Sequence, residues 1–311
     1  MRMYAAVTDF DWYRNLSSAS GIDEVNFWKP GGKAGFKALE PGGLFLFKLK
    51  APRNYIVGGG FFAHFTRLPC SLAWDAFGEK NGAHSWPQFR AKVAQLKKVS
   101  DPFEDFVIGC ILLEQPFFFP ESDWIPAPAE FKPVIVAGLV FDTAEPAGRQ
   151  LWADVEQRLG ALRAPRVSTV NAVAAPTAAR YGEPIEVTPR LGQGSFRVMV
   201  TDAYGRRCAA SGERTLPVLQ AAHIRPYALL GEHRVDNGLL LRSDLHTLYD
   251  RGYLTVTPEH RIEVSRRIRE EFENGRDYYA LHGKPIALPP SSRDHPNVAS
   301  LEWHASTVFK G

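Results

Sequence analysis

At 311 residues and 34.7 kDa the chain is long enough for two domains, each with its own core, at about 100–200 residues per domain. Hydrophobic residues make up 45% and charged residues 23%, an ordinary balance for a globular protein that excludes disorder as the main content. The net charge of +3 puts no strong overall demand on partners, and no apolar run reaches the ~18 residues needed to cross a bilayer, so no membrane partner is expected.

The chain begins MRMYAAVTDFDW, where Asp9 and Asp11 interrupt any apolar stretch, so a signal peptide is not expected. Cys70, Cys110 and Cys208 are odd in number and far apart. That spacing argues against a disulfide framework and against a paired-cysteine structural zinc site, and it fits a reducing, cytoplasmic setting.

In chain order, residues 1–142 read as β-rich. Short apolar runs recur at 3–7, 43–49, 55–63, 106–113 and 134–141, with Gly and Pro between them. Two helical stretches interrupt, 71–79 and 86–98, the second with Pro87 in its first turn. Many short strands with few helices predict a small, partly closed barrel. Residues 146–163 place Leu151, Val155 and Leu159 four apart, which predicts a helix. Residues 164–189, rich in Ala, Pro, Thr and Val, read as a linker. From 190 onward short strands and turns alternate, with one short helix near SDLHTLYD and a further strand and helix ending near Asn274-Gly275. Gly58-Gly59-Gly60 lacks the spacing and the following Lys-Ser/Thr of a phosphate loop, which disfavours nucleotide binding. The fold class is α+β, divided into 1–145, a helix and linker at 146–189, and 190–311.

Charge is unevenly spread. Residues 190–242 hold eight arginines, no lysine and four acids. Guanidinium pairs with phosphate through a two-pronged fork, so Arg197, Arg225 and Arg242 are candidate contacts to a nucleic-acid backbone; the alternative is a solvated charged face.

Three residues carry the chemistry. His223 ends the apolar run VLQAAHI, Asn237 opens NGLLLR fourteen residues later, and His246 lies nine further on in SDLHTLYD. A strand, a loop, a strand and a helix would bring both histidines to one cleft. The texts AAHIRP, DNGLLL and LHTLYDRG, in that order and spacing, resemble the HNH (ββα-metal) nucleases, specifically their restriction-endonuclease branch; RLGQGSFR, YGRRCAASG, YYALHGKPIALP and LEWH extend the likeness over 190–311.

The resemblance implies a hydrolase of phosphodiester bonds in double-stranded DNA. His223 would be the general base, Asn237 the residue holding or orienting it, and His246 a metal ligand on the helix. The position before the base, often an acidic or histidine ligand in the family, is Ala222 here. Asp250, four residues after His246, is the expected second ligand, with Asp244 as substitute. One imidazole and one carboxylate suit Mg²⁺, Mn²⁺ or Ni²⁺.

Residues 1–145 resemble, more weakly, the PUA-superfamily readers that include EVE, YTH and SRA domains. The cues are Asp-Trp-Tyr after a first strand, NFWKP, and a hairpin ending in a Gly-rich strand. Trp28 and Trp12 are candidate stacking walls for a flipped modified base and Asp11 a candidate hydrogen-bond acceptor; core packing is the alternative for each ring. Lys29, Lys33 and Arg53 flank this region as candidate backbone contacts. A reader fused to an HNH domain resembles modification-dependent restriction enzymes, expected to act as a homodimer at least on DNA. A sequence-specific HNH enzyme acting on plain DNA, and a nucleic-acid-binding protein with a degenerate cleft, remain the alternatives.

Overall fold

The computed structural model describes residues 1–31, 35–99, 101, 103–132, 134–163, 192–226 and 233–311. Lys33 and the linker stretch 164–189 lie outside them. The first part of the chain runs β1 (Arg2–Thr8), α1 (Phe10–Ser17), β2 (Glu24–Lys29), β3 (Leu44–Leu49), β4 (Tyr55–Pro69), α2 (Cys70–Phe77), α3 (Trp86–Lys97), β5 (Val107–Phe118), β6 (Ile125–Pro126), β7 (Gly138–Asp142) and α4 (Pro146–Arg163). The second runs α5 (Gln193–Ala203), β8 (Leu219–His223), β9 (Gly238–Arg242), α6 (Ser243–Asp250), β10 (Leu254–Val256), β11 (Ile262–Val264), α7 (Arg267–Phe272), α8 (Arg276–Tyr279) and α9 (Val298–Thr307). No helix among the described residues is long and apolar enough to cross a membrane.

The chain divides into two compact units that are not consecutive blocks. One comprises Met1–Ile22, Phe36–Ala63 and Leu113–Pro189; the other comprises Asp23–Gly35, His64–Leu112 and Arg190–Gly311.

The strands of the large sheet are ordered β2-β5-β4-β3-β1-β7, with β6 pairing β4. β1 runs parallel to β3, from Met3 opposite Leu44 to Thr8 opposite Leu49, and antiparallel to β7. Strand alternation turns Met3, Ala5, Leu44 and Leu46 to one face, where Leu151 and Val155 of α4 cover them. On the other, Trp12 of α1 packs edge-on against Phe47, ring centroids 4.9 Å apart. α1 is invisible to apolar periodicity. It starts because Asp9 accepts a hydrogen bond from the Trp12 backbone N–H at 2.9 Å, an N-terminal cap.

The expected partly closed barrel is corrected here: the sheet is open. Among the described residues no pairing joins β7 back to the far strand. β7 has only five residues and leads almost directly into α4, which covers the face a barrel would turn inward. Gly58-Gly59-Gly60 serves strand packing. A Cβ at Gly58 would lie 2.2 Å from the Phe117 carbonyl oxygen, and one at Gly59 would lie 2.5 Å from that of Phe45.

In the second unit, β8 and β9 form an antiparallel hairpin with His223 opposite Gly238 and Leu219 opposite Arg242, and α6 follows β9 without a break. β9 buries Leu239, Leu240 and Leu241 completely. α5 is a second correction, since the stretch from 190 reads as strands and turns with one short helix near SDLHTLYD, and QGSFRVMVTDA, with Gly194 and two valines, forms another helix. Its helix is imposed from a distance. The carboxylate of Glu24, fully buried, accepts from the backbone N–H of Gly194 at 2.9 Å and of Ser195 at 2.8 Å, and from Lys80 Nζ at 3.0 Å. A buried acid thus takes up first-turn donors where the helix dipole favours negative charge. Gly238 lets α5 dock on the hairpin, because a Cβ there would sit 2.5 Å from Val200 Cγ2.

Removing a partner from a buried, charge-paired group leaves the rest uncompensated. Glu24→Ala is therefore expected to lower unfolding free energy by about 3–5 kcal/mol in urea denaturation, and to cost more than Glu24→Gln, which keeps an acceptor oxygen.

Candidate functional site

β8, α5, α6 and α9 enclose a cleft of about 600 Å³ lined by residues that include Phe196, Arg197, Gln220, His223, His246, Asp250 and His304. His223 stands at the end of β8. Phe196 of α5 stacks on its imidazole, centroids 4.0 Å apart and planes 13° apart. Burial first, then His233 and His246, push its pKa down to about 4, so the ring is neutral at pH 7. Its Nε2 lies 2.9 Å from Nδ1 of His233.

Asn237 ends the one-turn 3₁₀ helix 235–237 that leads into β9. Its side-chain oxygen accepts from the Arg225 N–H at 3.0 Å, its Nδ2 donates to the Arg225 carbonyl at 2.9 Å, and its own carbonyl accepts from the Ile224 N–H at 2.9 Å. Three hydrogen bonds clamp the backbone just after His223. An amide suits the position because it both donates and accepts without adding charge.

His246 and Asp250, one turn apart on α6, point into the same cleft as His223, with Nε2 of His246 3.3 Å from Oδ2 of Asp250. Nδ1 of His246 lies 2.8 Å from Oε1 of Gln220. Nδ1–H donating to Gln220 leaves the Nε2 lone pair beside the carboxylate. A nitrogen and an oxygen donor so placed fit a divalent cation that takes its remaining ligands from water and phosphate. No group of three or more His, Cys, Asp or Glu side chains able to hold a metal occurs among the described residues. Asp244, the substitute ligand, is engaged elsewhere: Arg242 forks onto it with Nε–Oδ1 at 2.7 Å and Nη2–Oδ2 at 2.8 Å, and this pairing holds the Asp244 carboxyl below its usual range.

Of the candidate phosphate contacts, Arg197 lines the cleft and donates to the Asp75 carbonyl at 3.4 Å. The Arg225 guanidinium lies over the Trp303 ring at 5.4 Å. Arg242 is occupied by Asp244. Trp12 is only 4% exposed, the environment of a core ring rather than of an open stacking wall. Asp11 is an exposed acid on α1 paired with Arg14 at 3.1 Å. Trp28 belongs to the second unit, half-buried, its indole N–H donating to the Asn81 carbonyl at 3.0 Å and its ring edge-on to Phe89 at 5.4 Å.

Residues 208–257 match the HNH_2 family, described as HNH endonuclease. These residues are an HNH endonuclease domain. With it the chain is an endonuclease, a phosphodiester hydrolase acting on DNA. No curated protein matches the chain. Two solved structures are distantly similar. One is a mutant of the ZmASCH protein from Zymomonas mobilis, with 9% identity and a TM-score of 0.32, over 49% of this chain and 97% of that one. The other is the modification-dependent TagI restriction endonuclease, with 12% identity and a TM-score of 0.30, over 98% of this chain and 81% of that one.

Within the HNH domain Cys208 packs as a small buried group, its sulfur accepting from the backbone N–H of Ser211 at 3.4 Å and of Arg242 at 3.3 Å. Sequence reasoning missed Gln220, Phe196 and His233. The only signal for His233 was a third histidine between His223 and Asn237. His304, given no chemistry from sequence, braces α6: it stacks on Tyr249 at 3.7 Å, with Nε2 3.1 Å from the Tyr249 carbonyl and Nδ1 2.9 Å from the Thr255 hydroxyl.

Burial pushes the His304 pKa down to about 4, against 6.5 ordinarily. Between these values the unfolded chain binds the proton and the folded chain does not, so stability falls as pH drops through that window. The melting temperature is expected to decline from pH 6.5 to pH 4, and His304→Gln to flatten that decline in parallel thermal scans.

Proposed function

We propose that the chain is a modification-dependent DNA endonuclease, in which residues 1–145 recognise a modified base and the HNH domain cuts with a divalent metal. The observation that carries the catalytic half is the meeting of a neutral, half-buried His223 with the His246–Asp250 donor pair in one cleft. A base is needed to take a proton from water, and a neutral imidazole does this at neutral pH. Asn237 holds the backbone that follows it, and Arg197 is placed to meet a phosphate. His246 and Asp250 would hold the cation. Bound there, it supplies Lewis-acid polarisation of the phosphate and neutralises the leaving oxygen. Ala222 gives no ligand, so two protein donors rather than three anchor the cation.

The reading half rests on the aromatic-rich segment 1–145 and its resemblance to base readers. Trp28 is retained as a stacking candidate because its ring is only half-buried; Trp12 is a core residue. A nuclease cleft by itself reads phosphates, which carry no sequence information, so selectivity has to come from elsewhere in the chain. Cutting both strands with one cleft per chain favours a homodimer on DNA.

The test is a cleavage assay on plain DNA and on DNA carrying methylcytosine, hydroxymethylcytosine, glucosylated cytosine or methyladenine, each with Mg²⁺, Mn²⁺ and Ni²⁺. Cutting restricted to a modified substrate supports the proposal, and efficient cutting of plain DNA at one sequence overturns its reading half. His223→Ala is expected to lower cleavage by about 10²–10⁴-fold with DNA binding nearly intact. EDTA is expected to stop cleavage while the melting temperature stays put, and His246→Ala to reproduce its effect. Asp250→Asn is expected to raise the metal concentration needed for half-maximal rate more than Asp244→Asn does. Undiminished cutting in EDTA would remove the metal mechanism.

A further inference from the structure

The general base proposed above does not stand alone. His223 and His233 face each other with ring centroids 5.0 Å apart, planes inclined at 60°, and Nε2 of the first 2.9 Å from Nδ1 of the second. That is hydrogen-bond length, and one of the two nitrogens must carry the hydrogen. Phe196 walls both rings, stacked on His223 at 4.0 Å and tilted against His233 at 5.6 Å, so neither is free to turn away. Burial first lowers the His233 pKa, with Glu24 and Asp23 opposing and Lys80 adding to it, so the ring is neutral at pH 7. A neutral ring carries one hydrogen, and with it on Nε2 the Nδ1 is left as an acceptor.

From this geometry we propose that His233 is a positioning residue for the nuclease reaction, accepting a hydrogen bond from Nε2–H of His223 and so fixing His223 in the tautomer whose Nδ1 lone pair is open to water. The inference rests on the reading of His223 as general base. The logic is that of any two-nitrogen base: a ring whose hydrogen sits on the wrong nitrogen presents N–H to the nucleophile and cannot take its proton. During the step the proton leaves water for Nδ1 of His223, the hydroxide forms a bond to phosphorus, and one P–O ester bond breaks, its oxygen leaving as an alkoxide that takes a proton from solvent. The imidazolium formed keeps its Nε2–H on His233 Nδ1, where a neutral acceptor stabilises the new charge without competing for the incoming proton. No further reactant is required. Nδ1 of His223 has no hydrogen-bond partner among the described residues, as a nitrogen reserved for water would require.

A merely structural His233 would lower stability or DNA affinity. A positioning His233 lowers the chemical step. The experiment uses the full chain on supercoiled plasmid with Mn²⁺, plain or carrying methylcytosine or hydroxymethylcytosine, whichever the wild type cuts fastest. Single-turnover rates at saturating enzyme and separate binding constants are measured for wild type, His223→Ala, His233→Ala and His233→Asn. The Asn variant places an acceptor oxygen near the position of Nδ1 and cannot take up a proton. Expected are a 10–100-fold lower rate for His233→Ala, the usual range when a residue orienting a catalytic group is removed, with binding within twofold of wild type, and recovery to within about threefold for His233→Asn. The imidazole ¹H–¹⁵N spectrum of the wild type should show His223 with hydrogen on Nε2 at pH 7, a readout independent of cleavage. The inference is overturned if His233→Ala cuts within threefold of wild type while His223→Ala is inactive, if His233→Asn is as slow as His233→Ala, or if hydrogen is found on Nδ1 of His223. A fully active His223→Ala instead overturns the general-base reading itself, a result separable from the others.

Discussion

The nuclease cleft depends on a carboxylate far from it in sequence. Glu24 is fully buried and joins two backbone N–H groups of α5 to the ammonium of Lys80. Burial alone would pull the Lys80 pKa down, but the bonds to Asp23 and Glu24 outweigh it, so the amine stays charged and the arrangement is closed electrically. This fixes where α5 begins. The start of α5 fixes Phe196, and Phe196 fixes the plane of His223. A loose α5 would leave the base ring without its wall, which is why so costly a group as a buried carboxylate is placed there rather than an apolar residue.

Two electrostatic environments share the cleft. His223, half-buried, and His304, fully buried, are both held neutral, the first lining the cleft and the second bracing α6 through Tyr249. His246 and Asp250, by contrast, lie at the open side as a paired nitrogen and oxygen. Burial lowers the affinity of these imidazoles for protons, and it raises the pKa of the Asp250 carboxyl against the opposing pull of His246. In the function proposed above, the hairpin and helix separate proton chemistry at His223 from metal chemistry at His246 and Asp250, and Gln220, projecting from β8 to His246, links the two elements.

How much of this the sequence discloses depends on distance along the chain. His223, Asn237 and His246 are legible because the hairpin and helix that carry them are local, and their spacing is a direct consequence of two short strands and two turns of helix. α4 is legible for the same reason, since Leu151 and Val155 mark its buried face. α5 is not, because its own residues favour strand and its helix is dictated by Glu24, some 170 positions earlier. The open sheet escapes a strand count, since closure depends on what covers the faces. Aromatic composition does not separate core rings such as Trp12 from accessible ones. The Arg242–Asp244 pair shows the reverse: two residues apart, it could have been read as self-neutralising rather than as one phosphate contact and one spare ligand.

The interleaving of the units bears on when the enzyme becomes dangerous. The second unit needs Asp23–Gly35 and His64–Leu112 as well as Arg190–Gly311. On a ribosome adding about 5–20 residues per second, Glu24 waits about 9–34 seconds and Lys80 about 6–23 seconds before the backbone of α5 emerges to meet them. The helix bearing His246 and Asp250 comes later still, and α9, which props it, comes after that. A chain abandoned before α9 therefore lacks one wall of the cleft that holds His223, His246 and Asp250.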